Sequence, residues 1–508
     1  MGRQNYQHRT FLKPINMKSQ NLSISKSKYL HGLQCDKLLW YDYNAKEEIP
    51  APDAVTQTIF DQGTAVGELA QKLYPDGIKI NAEHFEIEKI LEESKKALIL
   101  RKPLFEAGFQ YDAAFARVDI LNPVGKDAWD IIEVKSSTEV KEINLHDLAH
   151  QWYVYAGAGL NIRSCSICHI NNQYVRKGER EPKKLFTIED VTSEVTKLLP
   201  QVKKNLKRMH ETISLPQCPE VNIGPQCEDP YTCALMDKCW SFLPKHSVFT
   251  VYRLGKKAFN LLEHGITDLK DIPDDFGLSE IQHIQINAVR SGKPFIDRDA
   301  IKTFLDELQY PLYFLDFETF ATAIPLFDEV RPYQSIPFQF SLHIQESSIA
   351  KPKHISFLAD GKNDPRPEIL KLLKESLGTE GSIVAYNMSF EKGRLNEMAE
   401  TYTQFQRWNE SVQKRFIDLL EPFRSLVYYH PEQMGSASIK AVLPVLTGKS
   451  YSDMEIGYGG VASNEYVRVT FQPCEDNDRE RVRKLLEEYC EQDTLGMIWI
   501  INELQKKV

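Results

Sequence analysis

Asp119 is followed, after thirteen intervening residues, by Glu133-Val134-Lys135. Further on, Asp316-Phe317-Glu318 closes an apolar run, and Tyr489 and Asp493 stand four apart near the end of the chain. Carboxylates are hard oxygen donors that suit Mg²⁺ or Mn²⁺. A lysine or tyrosine beside such an ion can orient a water and neutralise developing charge. Those residue types allow hydrolysis of a phosphodiester, so the partner they point to is nucleic acid. Between the two sets lie Cys227, Cys233 and Cys239, with five residues between each pair, Cys218 just ahead and Cys35 far upstream. Four thiolates are what a [4Fe–4S] cluster or a structural zinc requires.

Regular elements must bring these groups together. Strand alternation puts Glu133 and Lys135 on one face and Val134 on the other, with Asp119 on a neighbouring strand. The Val134 carbonyl is a further candidate ligand, and Lys135 would orient or deprotonate the attacking water. Gln151 and Tyr155 are four apart on the next helix, placed to touch substrate or to brace Lys135. Asp316 and Glu318 share a strand face, and Tyr489 and Asp493 share a helix face. Glu391 in NMSFE opens a helix after IVAY, and Asp418 reads as a supporting acid or as turn chemistry. The plainer alternative for the first set is exposed strands with surface charges, since an acid-x-Lys triplet is common by chance.

The expected elements are a helix over 58–74, strands over 104–121 and 129–136, a helix over 144–157 and a strand over 163–171. A long helix is expected from Thr187, where Thr187-x-x-Asp190 resembles a capping box. Cys165 and Cys168 fall on opposite faces of a strand and read as packing residues. Residues 246–305 read as a helical connector, for which packing is favoured over a helix-hairpin-helix contact with DNA backbone. Beyond it, strands and helices alternate up to a final helix over 479–505. The fold class is therefore α/β, with a 1–20 flexible tail, a 21–245 domain carrying the cysteines, the connector, and a 306–508 domain.

A chain of 508 residues with 42% hydrophobic and 26% charged residues suits several folded domains and excludes a disordered or fibrous protein. The net charge of −9 argues against a passive nucleic-acid coat but not against carboxylate-based chemistry on nucleic acid. Lys203, Lys204, Lys207 and Arg208 form either a local basic patch or a solvated helix face. Without a membrane-length apolar run or a signal peptide, the expectation is a cytoplasmic protein with no membrane partner. Nine cysteines in such a chain do not read as disulfides.

Asp119, Glu133-x-Lys135 and Gln151-x3-Tyr155, with one cysteine before and three after, resemble the RecB-like branch of the PD-(D/E)XK nucleases. That resemblance implies a restriction-endonuclease-like fold and a [4Fe–4S] cluster on Cys35, Cys227, Cys233 and Cys239, with structural zinc as the alternative. The downstream cysteine spacing is wider than the family's, and Glu68 stands in the 58–74 helix where relatives often have histidine. Asp316-x-Glu318, Asn387-x3-Glu391 and Tyr489-x3-Asp493 resemble the motifs of DEDD-type 3′–5′ exonucleases of the Tyr variety, on an RNase H-like fold. Glu391 departs from the usual aspartate. Together with SKYLHGLQC, LDFETF, YNMSFEKGRL and GSASIKAVLP, the chain resembles a bacterial domain-of-unknown-function family often labelled RecB-like nuclease. The implied function is a two-site, metal-dependent nuclease acting on single-stranded or end-containing DNA, in repair or in defence against foreign DNA. An RNA-processing 3′–5′ exonuclease and a nucleic-acid-binding scaffold with silent sites are the alternatives.

Overall fold

The computed structural model describes residues 23–508, so the expected tail of residues 1–20 lies outside the described residues. The chain is a mixed α/β protein built on two main sheets. The first has seven strands: β1 (Ile24–Ser25), β2 (Ile78–Lys79), β3 (Leu104–Tyr111), β4 (Ala114–Val124), β5 (Ala128–Lys135), β6 (Asn161–Ile170) and β7 (Phe186–Asp190). The path runs β2 to β7 in order, and β1 adds to β4. The expected strand over 104–121 is in fact a hairpin. Asp112 and Ala113 form its two-residue turn, both at positive φ (48° and 56°), the geometry that matches the twist of paired strands.

The helix Glu142–Gly157 packs on one face of this sheet beside Thr192–Ile213, and Ala54–Gln71 covers the other. The alternation is visible in β6, where Cys165 joins the first core and Cys168 the second. One expected boundary is wrong. Residues 186–190 form β7, antiparallel to β6, and the long helix starts at Thr192. Asp190 does accept a backbone amide, but from Thr192 (2.9 Å), as a turn between strand and helix rather than as the end of a capping box.

The connector holds the short helices Lys257–Glu263 and Glu280–Ser291 around its own small core, while Ile301 of the helix Arg298–Asp306 packs into the C-terminal core. It is not an independent spacer. Its strand β8 (Phe295–Ile296) pairs with Tyr428–Tyr429 of the C-terminal region. Gly435, at φ 76°, lies so close that an added Cβ would come within 2.0 Å of the Thr250 carbonyl, so only glycine fits.

The second main sheet has five strands: β9 (Leu312–Phe320), β10 (Ile336–Gln345), β11 (Lys353–Leu358), β12 (Ile383–Ala385) and β13 (Phe416–Asp418). The strand Tyr428–Tyr429 that pairs with β8 follows as β14. The order is β11-β10-β9-β12-β13, with β10 antiparallel to β9 and β12 parallel to it. Leu312 and Phe314 of β9 pack on the face covered by the final helix Asp476–Gln505, while Tyr313, Leu315 and Phe317 pack on the opposite face. Asp316 and Glu318 share the parity of Leu312 and therefore face that helix. Among the described residues no helix is long and apolar enough to cross a membrane.

Candidate functional sites

The first carboxylate set forms where β4 and β5 part. Their register ends at Ile120 opposite Ile132. Beyond it the Val134 amide donates to Asp119 Oδ2 (2.7 Å), so one acid satisfies a backbone group that the ladder has released. Glu133 is buried, and both its oxygens are occupied. Oε1 accepts from Lys26 (2.6 Å) and Lys135 (2.7 Å), and Oε2 from Gln151 Nε2 (2.7 Å). Asp147 closes the ring by accepting from Lys135 (2.8 Å) and Gln151 (2.8 Å).

Two members of this network were not anticipated. Asp147 stands one turn before Gln151, a spacing that could have revealed it, whereas Lys26 arrives from the start of the Lys26–Gln34 helix and carried no local signal. Burial opposes the charge on Lys135, but Asp147 and Glu133 outweigh it and hold the ammonium above its usual range. That ammonium is suited to orienting water and countering charge. Burial also favours the neutral form of Asp147, yet Lys135 and Lys26 hold it below the usual carboxylate range. Asp119 goes the other way: burial, then Glu133, push it up to about 7.

Tyr155 does not reach this cleft. It is fully buried; its hydroxyl donates to the Ala107 carbonyl and accepts from the Val118 amide (3.0 Å), tying β3 to β4. Glu106, at φ 59°, lines the cleft beside Asp119, an unusual backbone conformation for a non-glycine residue within a strand. Glu68 also lines the cleft, paired with Lys79 at 3.6 Å.

The cleft has a volume of 1370 Å³, and one wall comes from the C-terminal region through Arg331, Tyr333 and Arg394. The Tyr333 hydroxyl donates to the Ser136 carbonyl, and Arg176 exchanges backbone hydrogen bonds with Val330 and Glu329 (3.1 and 2.9 Å). Ala323 packs into the core with Val66, Ile120 and Ile132.

In the second set, Asp316, Glu318 and Asp493 each place a carboxylate oxygen within 4.8 Å of the others. Burial, then the neighbouring acids, hold Asp316 and Glu318 well above the usual range, and burial pushes Asp493 up to about 6. Glu391 is buried behind Asp316 with Oε2 unpartnered, outside the converged triplet. Burial, then Asp316, raise it too. Tyr451 donates to Asp493 Oδ1 (2.6 Å) and Lys440 donates to the Tyr489 hydroxyl (3.0 Å). Neither Tyr451 nor Lys440 was singled out, although Lys440 stands within the GSASIKAVLP segment. Asp418 spends Oδ1 on the amides of Asn387 and Leu420, the turn role.

Two cavities meet over these acids. One of 580 Å³ is lined by Tyr252, Arg253, Asn387, Lys440 and Tyr489, and the other of 510 Å³ by Phe390, Glu391 and Gly459; both reach Asp316 and Glu318. On the far side of Ser341, which pairs with Asp316 across the sheet, His343, His354 and Glu491 form a further group with ligand atoms within 4.8 Å. Its imidazoles stack at 4.4 Å, and burial holds His343 down to about 4.

Cys35, Cys227, Cys233 and Cys239 line one small pocket between the Lys26–Gln34 and Asp36–Asn44 helices and the Met236–Trp240 turn. Burial raises the Cys35 and Cys233 thiols, with neighbouring cysteines adding to it. Cys218 lies at the margin, near Cys239 and Cys35. The basic run on Thr192–Ile213 is partly spent inside the protein, since Arg208 pairs with Asp36 and donates to the Gly32 carbonyl (2.7 Å).

Comparison with known proteins adds family context. The "Uncharacterized protein MG366 homolog" of Mycoplasma pneumoniae is 26% identical over 43% of this chain and 36% of its own length. "Uncharacterized protein UU173" of Ureaplasma parvum is 25% identical over 52% of this chain and 41% of its own. "Uncharacterized protein MG366" of Mycoplasma genitalium is 27% identical over 43% and 36%. The chain thus spans 36–41% of the length of these curated relatives. Residues 313–438, which carry Asp316, Glu318 and Glu391 but stop short of Lys440, Tyr489 and Asp493, match a domain of unknown function, DUF2779.

Proposed function

We propose that this protein is a metal-dependent nuclease with two carboxylate sites, a RecB-like PD-(D/E)XK site at Asp119, Glu133 and Lys135 and a DEDD-type site at Asp316, Glu318 and Asp493. The observation that carries the reading is the convergence of Asp316, Glu318 and Asp493 within 4.8 Å, from a central strand and the last helix, inside a cavity. Their chemistry fits a divalent ion, because hard oxygens cluster there and Glu391 Oε2 lies buried without a partner. Mg²⁺ or Mn²⁺ held by these acids would polarise a phosphate and activate water. Tyr489, held by Lys440, is placed to orient that water, and the Lys440 ammonium counters charge on a departing strand.

In the first cleft Asp119 and Glu133 are the candidate ligands, and Lys135 positions the nucleophile while Gln151 and Asp147 hold Lys135 and Glu133 in place. The four cysteines fit a [4Fe–4S] cluster or structural zinc, either of which would cross-link the start of the N-terminal domain to its end.

The test is digestion of end-labelled DNA and RNA oligonucleotides with Mg²⁺ or Mn²⁺ after anaerobic purification, comparing the wild type with D316A and K135A. Metal-dependent cleavage of DNA, with a different product pattern lost in each variant, is the expected result. Cleavage unchanged in both variants would remove both sites from consideration.

A further inference from the structure

The connector reaches the second site. Tyr252 and Arg253 line the 580 Å³ cavity over Asp316, Glu318 and Asp493, and the same two residues line an adjoining 550 Å³ cavity with Lys257, Ser279 and Gln282. The dipeptide is therefore a wall shared by the cavity over the carboxylates and a cavity of the connector.

The dipeptide is held in place. The buried Gln285 accepts from the Tyr252 amide (2.7 Å) and donates to the Thr250 carbonyl (2.7 Å). The buried Gln282 donates to the Tyr252 carbonyl (2.9 Å). Arg253 takes φ 51°, a conformation rare outside glycine that persists only where the surroundings impose it. Its side chain is exposed, and its guanidinium lies 5.1 Å from the centre of the Tyr252 ring. The two glutamines thus fix the backbone on both sides of the Tyr252 side chain. A half-exposed aromatic ring beside a cation, at the mouth of an acid-lined cavity, matches what single-stranded nucleic acid needs: a face for a base and a charge for a phosphate.

We propose that Tyr252 and Arg253 form a clamp for single-stranded nucleic acid at the entrance of the second site, stacking a base and gripping a phosphate next to the one that reacts. The clamp rests on the nuclease reading of that site and adds its substrate class and a binding contribution from the connector. It also makes the connector part of the second site.

The full-length protein is titrated into fluorescein-labelled oligothymidylate and oligouridylate, with Ca²⁺ in place of Mg²⁺, across a salt series read by anisotropy. Y252A is expected to weaken binding roughly 5- to 150-fold, the range for losing one base stack, while Y252W keeps most of it. R253Q is expected to lower the slope of log affinity against log salt by about 0.7, the value for one phosphate contact on a single strand. Tighter binding to one oligonucleotide identifies the preferred sugar. Wild-type affinity and slope in both Y252A and R253Q would overturn the clamp and leave the nuclease reading standing. R253Q alters an exposed side chain, so it decides the question even if Y252A does not fold. If the wild type binds neither oligonucleotide, the nuclease reading fails and the clamp fails with it.

Discussion

The two carboxylate sites solve opposite electrostatic problems. In the first, Lys26 and Lys135 stand against Glu133 and Asp147, and Gln151 bonds a further oxygen of each acid, so these four charges are paired within the protein. In the second, Asp316, Glu318, Asp493 and Glu391 face a single lysine, Lys440, which hydrogen-bonds to Tyr489. Burying like charges together is costly unless they are protonated or paired. The first site is thus balanced largely by its own side chains, while the second gathers acids that one lysine offsets only in part, and the proposed function would complete it with a cation.

The largest effect should come from removing one acid of the uncompensated set. D316N is expected to lower the proposed cleavage at this site on the order of a hundredfold or more, and to abolish the rise in melting temperature expected for the wild type with Mn²⁺. If D316N still shows the full Mn²⁺ shift, Asp316 is not a ligand and the contrast fails.

The next effect tests the closed network. K135A leaves Glu133 and Asp147 buried with one cation fewer, and chemical denaturation should report a loss of about 3 kcal/mol. K440A, which removes a cation from acids already inclined to be neutral, should cost less than about 1 kcal/mol. Equal losses would show that both sites are balanced in the same way.

Acid titration separates the regions further. The raised acids of the second site contribute stability that is fully present below the unfolded value near pH 4 and is lost as pH rises through the folded values, about 6 for Asp493. Metal-free protein should therefore show a C-terminal melting transition that rises as pH falls from 7 to 5, and Mn²⁺ should flatten that slope. In the N-terminal region the signs oppose. Asp119, raised to about 7, gains stability over the same fall in pH. His150, held by burial down to about 3, loses it as pH drops below the unfolded value near 6.5. Calorimetry at stepped pH should show a nearly level N-terminal transition beside a sloping C-terminal one.

A more local effect concerns Tyr155. Y155F removes the hydroxyl that bridges β3 and β4, and should cost about 1–2 kcal/mol while cleavage at the first site persists. A collapse of cleavage with unchanged stability would return Tyr155 to the reaction.

Much of this arrangement was legible from local pattern. Alternation placed Glu133 with Lys135 and Asp316 with Glu318, and helical spacing placed Tyr489 with Asp493, because side-chain direction along a strand or helix follows from backbone geometry alone. The opposed faces of Cys165 and Cys168 were readable for the same reason. The misplaced helix start at Thr187 shows where that logic weakens: a short edge strand and a helix turn look alike until β6 offers a partner.

What the residue order determined by itself was therefore which groups share a face, and which acids, lysines and thiols are available for chemistry. Tertiary structure alone decided that Lys26 reaches Glu133, that Tyr451 holds Asp493 and that Tyr155 is spent between strands. It also decided that Arg331 and Arg253 line cavities whose acids belong to other regions of the chain. The physical reason is range: backbone geometry fixes directions only within one element, while contacts between distant segments depend on how whole elements pack.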